Sequence, residues 1–99
     1  MHVLEVVLFR LNPGVDEAEF LQAAEATFGL LQGYSGYIRR ELSVDDSGQW
    51  VDVVWWTDKA TAFAAAEQFM ATPEAQQFEK MISAESTVMV HVTPKRVDG

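Results

Sequence analysis

The chain contains no cysteine, so disulfides and thiol chemistry are excluded. Cations are scarce: seven Lys and Arg stand against fifteen Asp and Glu, a net charge of −8. Such a surface repels nucleic-acid phosphates and anionic lipid, and neither partner is expected. No apolar run approaches the ~20 residues that span a bilayer. The start, Met1-His2-Val3-Leu4-Glu5, lacks the basic segment and cleavage site of a secretion signal, so the expected location is the cytoplasm. No pair of His, Asp or Glu has metal-ligand spacing, and no metal is expected. Gly-x-Gly-x-x-Gly, P-loop and Gly-x-Ser-x-Gly patterns are also missing. A bound nucleotide and an elbow-type serine hydrolase are therefore not indicated.

What is present describes a folded chain. Apolar residues make up 48 % of it and charged residues 22 %, too hydrophobic a balance for disorder. Ninety-nine residues suit one domain, 1–99, with a thin core. Val3 to Leu11 reads as a strand, broken by Asn12-Pro13-Gly14. Asp16 and Glu19 form a capping box, with Val15 and Phe20 as a hydrophobic staple. Leu21, Ala24, Phe28 and Leu31 predict one apolar helix face, and Gly33 a left-handed stop. Tyr37 to Val44 and Trp50 to Thr57 predict a hairpin around Asp45-Asp46-Ser47-Gly48. Asp58 caps a second helix with Phe63, Ala66 and Met70 on one face. Thr72 and Pro73 open a third, whose apolar side is Phe78, Met81 and Ile82. Ser86 to Thr93 is the last strand, and Pro94 to Gly99 a frayed tail.

This order predicts an α+β, ferredoxin-like βαββαβ fold, a four-stranded antiparallel sheet with its helices on one face. Strand three then carries Trp50, Val54 and Trp56 on one side and Val51, Val53 and Trp55 on the other. Strand one divides likewise, with Val3, Val7, Phe9 and Leu11 opposite Leu4, Val6 and Leu8. One helical layer covers one face only. The other is a large apolar patch of a kind monomers seldom expose, so a homodimer is expected. The plainer reading covers that face with the tail or the short third helix.

Simple pairing across the hairpin puts Tyr37, Arg39 and Glu41 on the face of Asp52, Val54 and Trp56, and a one-residue slip reverses this. Polar groups among large aromatics, between sheet and helices, are a common way to build a small-molecule pocket. The candidate catalytic residues are Asp52 and Trp56. The candidate binding residues are Val7, Phe9, Tyr37, Arg39 and His91. Each has a plain reading: Trp56 as a core aromatic, Asp52 as an exposed or Arg39-paired acid, His91 as an outward-facing structural histidine beside Met89 and Thr93. Glu5 interrupts an apolar strand and is an edge residue, a paired acid or part of a site.

Several segments together carry a resemblance. They are Val6-Val7-Leu8-Phe9-Arg10-Leu11 before Pro13-Gly14, Gly36-Tyr37 opening strand two, and Val54-Trp55-Trp56-Thr57-Asp58 closing strand three. An alanine-rich helix, Pro73 and Val90-His91-Val92 complete the order. The whole resembles the dimeric α/β-barrel superfamily, in its antibiotic-biosynthesis-monooxygenase branch. That resemblance implies two sheets closing into a dimeric barrel, with a pocket between each sheet and its own helices. Cofactor-free polyketide monooxygenases of this type place an Asn four residues before a Trp on strand three, where this chain has Asp52 and Trp56. A carboxylate accepts hydrogen bonds where an amide also donates them. Haem-degrading members use a strand-one Asn and a helical His, for which Val7 and the His-free segment 62–70 are no match. The implied function is a homodimer that binds a small apolar or aromatic, polyketide- or quinone-like molecule and oxygenates it with no cofactor. In that reading Asp52 accepts or orients a proton and Trp56 holds the ring. The competing reading is a non-catalytic stress-response or assembly protein whose dimer is the functional unit. A regulatory amino-acid-sensing domain fits less well in a chain with no attached enzyme.

Overall fold

The computed structural model describes residues 2–98; Met1 and Gly99, at the two ends of the segments read above, lie outside it. The strands are β1 (Val3–Phe9), β2 (Tyr37–Val44), β3 (Trp50–Trp56) and β4 (Val88–Val92). The helices are α1 (Glu17–Leu31), α2 (Lys59–Met70) and α3 (Pro73–Lys80). All strand pairs are antiparallel, in the order β2-β3-β1-β4. The ferredoxin-like α+β expectation holds.

Local chemistry fixes the helix starts. The Glu19 amide donates to Asp16 Oδ2 at 3.3 Å, the Thr61 amide to Asp58 Oδ1 at 2.8 Å and the Ala75 amide to Thr72 Oγ1 at 3.1 Å. Pro73 follows the last cap, where its missing N–H costs nothing. The hairpin tip is similarly built, with Asp45 Oδ1 accepting from the Ser47 and Gln49 amides and Gly48 at φ +89°.

Alternation along the strands sends Phe9, Trp50, Val54 and Trp56 toward the helices. Phe9 and Trp50 pack with Phe20 and Ala24 of α1 and Phe78 of α3. Val54 and Trp56 pack with Leu31 of α1 and with Ala62 and Ala65 of α2. The other face carries Leu4, Val6 and Leu8 of β1, aligned with Trp55, Val53 and Val51 of β3 and with Val92, Val90 and Val88 of β4. Those three β4 valines are 42–56 % exposed.

Five expectations are corrected. First, β1 ends at Phe9, and Leu11 keeps only an isolated bridge to Ile82. Second, the buried stripe of α1 is Phe20, Ala24, Thr27 and Leu31, while Leu21 is exposed. Third, Gly33 is not left-handed. The helix closes on hydrogen bonds from Gly33 N to Leu30 O and Tyr34 N to Leu31 O, and the left-handed glycine is Gly36 at φ +85°. Fourth, α2 turns Ala62 and Ala65 inward, because small side chains let it approach the sheet, and leaves Phe63 and Met70 about half exposed. Fifth, β4 begins at Val88, after a 3₁₀ turn at Ala84–Ser86.

Candidate functional site

A cavity of about 250 Å³ lies between the sheet and its helices. The sheet contributes Glu5, Val7 and Phe9 from β1, Arg40 from β2, Asp52, Val54 and Trp56 from β3, and Met89 from β4. Leu31, Ala65, Ala66, Phe69, Met70, Phe78 and Glu79 close it from the helices, with Ile82 and Thr87 on the remaining wall. The lining is mostly apolar with a few convergent polar groups, as in small-molecule sites.

A β-bulge decides which arginine enters. Tyr37 pairs with Trp56, but the register then shifts so that Arg39 pairs with Trp55 and Arg40 with Val54. One extra residue on a strand reverses its alternation beyond that point. Arg40 therefore points inward. Arg39, expected in the pocket, lies on the opposite face, where its guanidinium sits 4.7 Å from the Trp55 ring and pairs with Glu41.

Arg40 organises the polar wall. Its Nε and Nη2 donate to Asp52 Oδ1 and Oδ2 at 2.9 and 2.7 Å. Its Nη1 donates to Thr27 Oγ1 at 2.8 Å, and that hydroxyl donates to Ala24 O at 2.6 Å. The guanidinium also lies over the Phe28 ring, 4.3 Å from its centre. The pair is buried, with side chains 2 % and 9 % exposed. Both Asp52 oxygens are thus committed to N–H donors, and the expected partner Arg39 is replaced by Arg40.

Glu5 is the cavity's other strand carboxyl. Trp56 Nε1 donates to its Oε1 at 3.2 Å. Burial pushes the Glu5 carboxyl above its ordinary value. His91, the Trp56 hydrogen bond and Arg40 oppose that rise, and Asp52 adds to it. Glu79, across the cavity on α3, is also raised, by burial and then by Asp52. His91 is the register partner of Glu5. It faces the helix side rather than outward, half-buried, with its ring 4.8 Å from that of Phe63.

The structure therefore gathers Val7, Phe9, Asp52 and Trp56 around one cavity. Tyr37 stands behind the wall, edge-on to Trp56 at 5.9 Å, and His91 stands beside Glu5 without lining the cavity. Arg40, Thr27 and Glu79 escape the sequence reading. Thr27 has a signal, since positions 20, 24, 27 and 31 form a helical stripe. Arg40 has none, because a bulge is not written in local composition.

No family model matches the sequence, and no curated protein matches it. Similarity appears among solved structures. An asparagine-to-alanine variant of SnoaB, a cofactor-independent oxygenase from Streptomyces nogalater, is 19 % identical, with 97 % of this chain and 95 % of that one covered and a TM-score of 0.83. A candidate antibiotic biosynthesis monooxygenase from Nitrosomonas europaea is 15 % identical, with 99 % and 94 % covered and a TM-score of 0.74. A dimeric ferredoxin-like protein of unknown function from Jannaschia sp. is 14 % identical, with 95 % and 100 % covered and a TM-score of 0.71. The chain has the fold of these proteins, the ferredoxin-like fold seen in SnoaB and in structures assigned to antibiotic biosynthesis monooxygenases.

Proposed function

We propose that the chain is a single-domain cytoplasmic homodimer, its two sheets joined by their open faces, and that each cavity binds a small aromatic molecule and oxygenates it without a cofactor. The observation that carries this reading is the apolar cavity of about 250 Å³ with Trp56 in its wall and a few ionisable groups in its lining. Its size is at or just below the small end of ligand pockets, roughly 300–1,000 Å³. A compact quinone-like or phenolic polyketide-like ring system suits it. The fold similarity to a cofactor-independent oxygenase supports the reaction type.

In this reading the substrate is a phenol with an acidic CH₂ group. Loss of a proton leaves a carbanion delocalised onto the phenolic ring. That carbanion transfers an electron to O₂, and the radical pair recombines to a peroxide. The peroxide loses its remaining C–H proton as its O–O bond breaks, giving a carbonyl and water. The sum is CH₂ plus O₂ to C=O plus H₂O, with the substrate as reductant. Trp56 holds the ring. Arg40 has five N–H groups, three of them bound to Asp52 and Thr27, so two remain for a phenolate oxygen. Asp52 acts by orienting Arg40.

The test is a thermal-shift panel of quinones and phenols, followed by oxygen uptake with 1,8-dihydroxyanthrone. Binding to the folded state raises the melting temperature by mass action. Trp56→Phe is expected to weaken binding and slow uptake. Unchanged uptake in both Trp56→Phe and Asp52→Ala overturns the roles given to these residues. The competing reading, a non-catalytic dimer, is favoured by the closed Asp52–Arg40 pair. It predicts that no member of the panel shifts the melting temperature.

A further inference from the structure

Resting on the oxygenase reading, the reaction needs a base, and the cavity's carboxyls are not equivalent. Asp52 has both oxygens bound to Arg40. Glu79, near the end of α3, is only partly shielded from solvent, and among the described residues no ring of the site donates a hydrogen bond to it. Glu5 lines the cavity, accepts one hydrogen bond from Trp56 Nε1 at Oε1, and makes no hydrogen bond through Oε2 among the described residues. Trp56, the ring-holding residue, thus fixes Glu5 with one oxygen spoken for and one left over. Behind Glu5, on the paired strand, His91 has a buried Nε2 with no hydrogen-bond partner among the described residues.

We infer that Glu5 is the catalytic base of this pocket, taking the substrate's C–H proton on Oε2, and that His91, its register partner on β4, is a positioning residue. The C–H bond breaks with its electron pair staying on the substrate carbon, and the proton passes to Oε2. After O₂ has added and the O–O bond has broken, the same proton neutralises the departing hydroxide to water and Glu5 is regenerated.

The surroundings suit this task. Burial strengthens Glu5 as a base by raising it toward working pH. The charged or titratable groups about it are His91 on β4, Asp52 on β3, Arg40 on β2 and Glu79 on α3. The α2 wall, Ala65, Ala66, Phe69 and Met70, and Leu31 of α1 are apolar. His91 exerts the largest of the effects that lower Glu5. Its loss is expected to raise Glu5 further.

Two readouts with 1,8-dihydroxyanthrone separate this inference from the oxygenase reading. One is exchange of the CH₂ hydrogens in D₂O under argon, followed by proton NMR, which needs no oxygen. The other is oxygen uptake. Glu5→Gln keeps an oxygen for Trp56 and is expected to slow both by about 100-fold or more, with the affinity for the probe within threefold. His91→Gln is expected to keep turnover but move the acid limb of the exchange rate to higher pH. Exchange by the wild type without oxygen uptake overturns the oxygenase reading and leaves Glu5 as the base. Glu5→Gln exchanging within threefold of the wild type overturns Glu5. No exchange above the buffer rate overturns both. An unmoved acid limb in His91→Gln overturns its role and, should Glu5→Gln not fold, overturns Glu5 as the base as well.

Discussion

Asp52 and Arg40 are the most consequential pair in the interior. A buried ion pair is weak evidence of net stability, because desolvation offsets its attraction, but breaking it strands a charge. Asp52→Ala leaves the Arg40 guanidinium against two aromatic rings, with Thr27 its one hydrogen-bond partner among the described residues. We expect it to cost about 3–5 kcal/mol in urea unfolding, with Arg40→Met added to Asp52→Leu recovering most of the loss. A loss below about 1 kcal/mol for Asp52→Ala argues against a tight pair. Glu5 has a stability signature of its own. Its folded value is raised, so the folded state holds more protons than the unfolded one as pH rises above the ordinary carboxylate value. Stability must therefore fall as pH rises from that value through the raised one. Glu5→Gln should flatten this fall, as thermal unfolding against pH will reveal. Asp52 and Trp56 were visible as candidates because strand alternation is a property of the sequence. The partner of Asp52 was not visible, since it depends on a bulge at the start of β2.

The helix ends show which elements are written locally. Asp16, Asp58 and Thr72 cap as their sequence neighbourhoods predict, because a cap joins side chain and amide only three residues apart. Helix faces are less secure. Phe28 looks like a better core residue than Thr27, yet Thr27 is fully buried because its hydroxyl serves both Ala24 O and Arg40. The glycines diverge in the same way. Gly36 has positive φ, and a Cβ there runs into the Thr61 side chain at the start of α2. Gly36→Ala is expected to cost about 1–2 kcal/mol from the backbone alone and more from that collision. Gly33 has ordinary φ, and its Cβ would meet only Leu30 O at 3.6 Å. Gly33→Ala should therefore be neutral or stabilise by about 0.4–1 kcal/mol. Melting temperatures of the two variants test the contrast, and equal losses refute it.

For the molecule as a whole, the open sheet face is the decisive feature. Val88, Val90 and Val92 remain exposed beside the β1 and β3 apolar rows, and among the described residues no helix packs there. Apolar burial is worth about 25 cal/mol per Å², and monomers seldom leave contiguous apolar faces in water. A Lys at position 90 would place a charge at the centre of β4 on that face. Sedimentation velocity is expected to give twice the chain mass for the wild type and a single chain mass for Val90→Lys. A wild type of single chain mass overturns the proposed dimer. Among the described residues no helix is long and apolar enough to cross a membrane.

Element order, the caps and the division of β1, β3 and β4 into two faces follow from the amino-acid sequence alone, because periodicity and capping act over a few residues. The position of Arg40, the burial of Thr27 and the meeting of Glu5 with Trp56 and His91 do not. They depend on a bulge, a helix rotation and strand pairings across 49 and 86 positions of chain. Those choices are made by packing and by satisfying a buried cation, forces that exist only once distant segments touch.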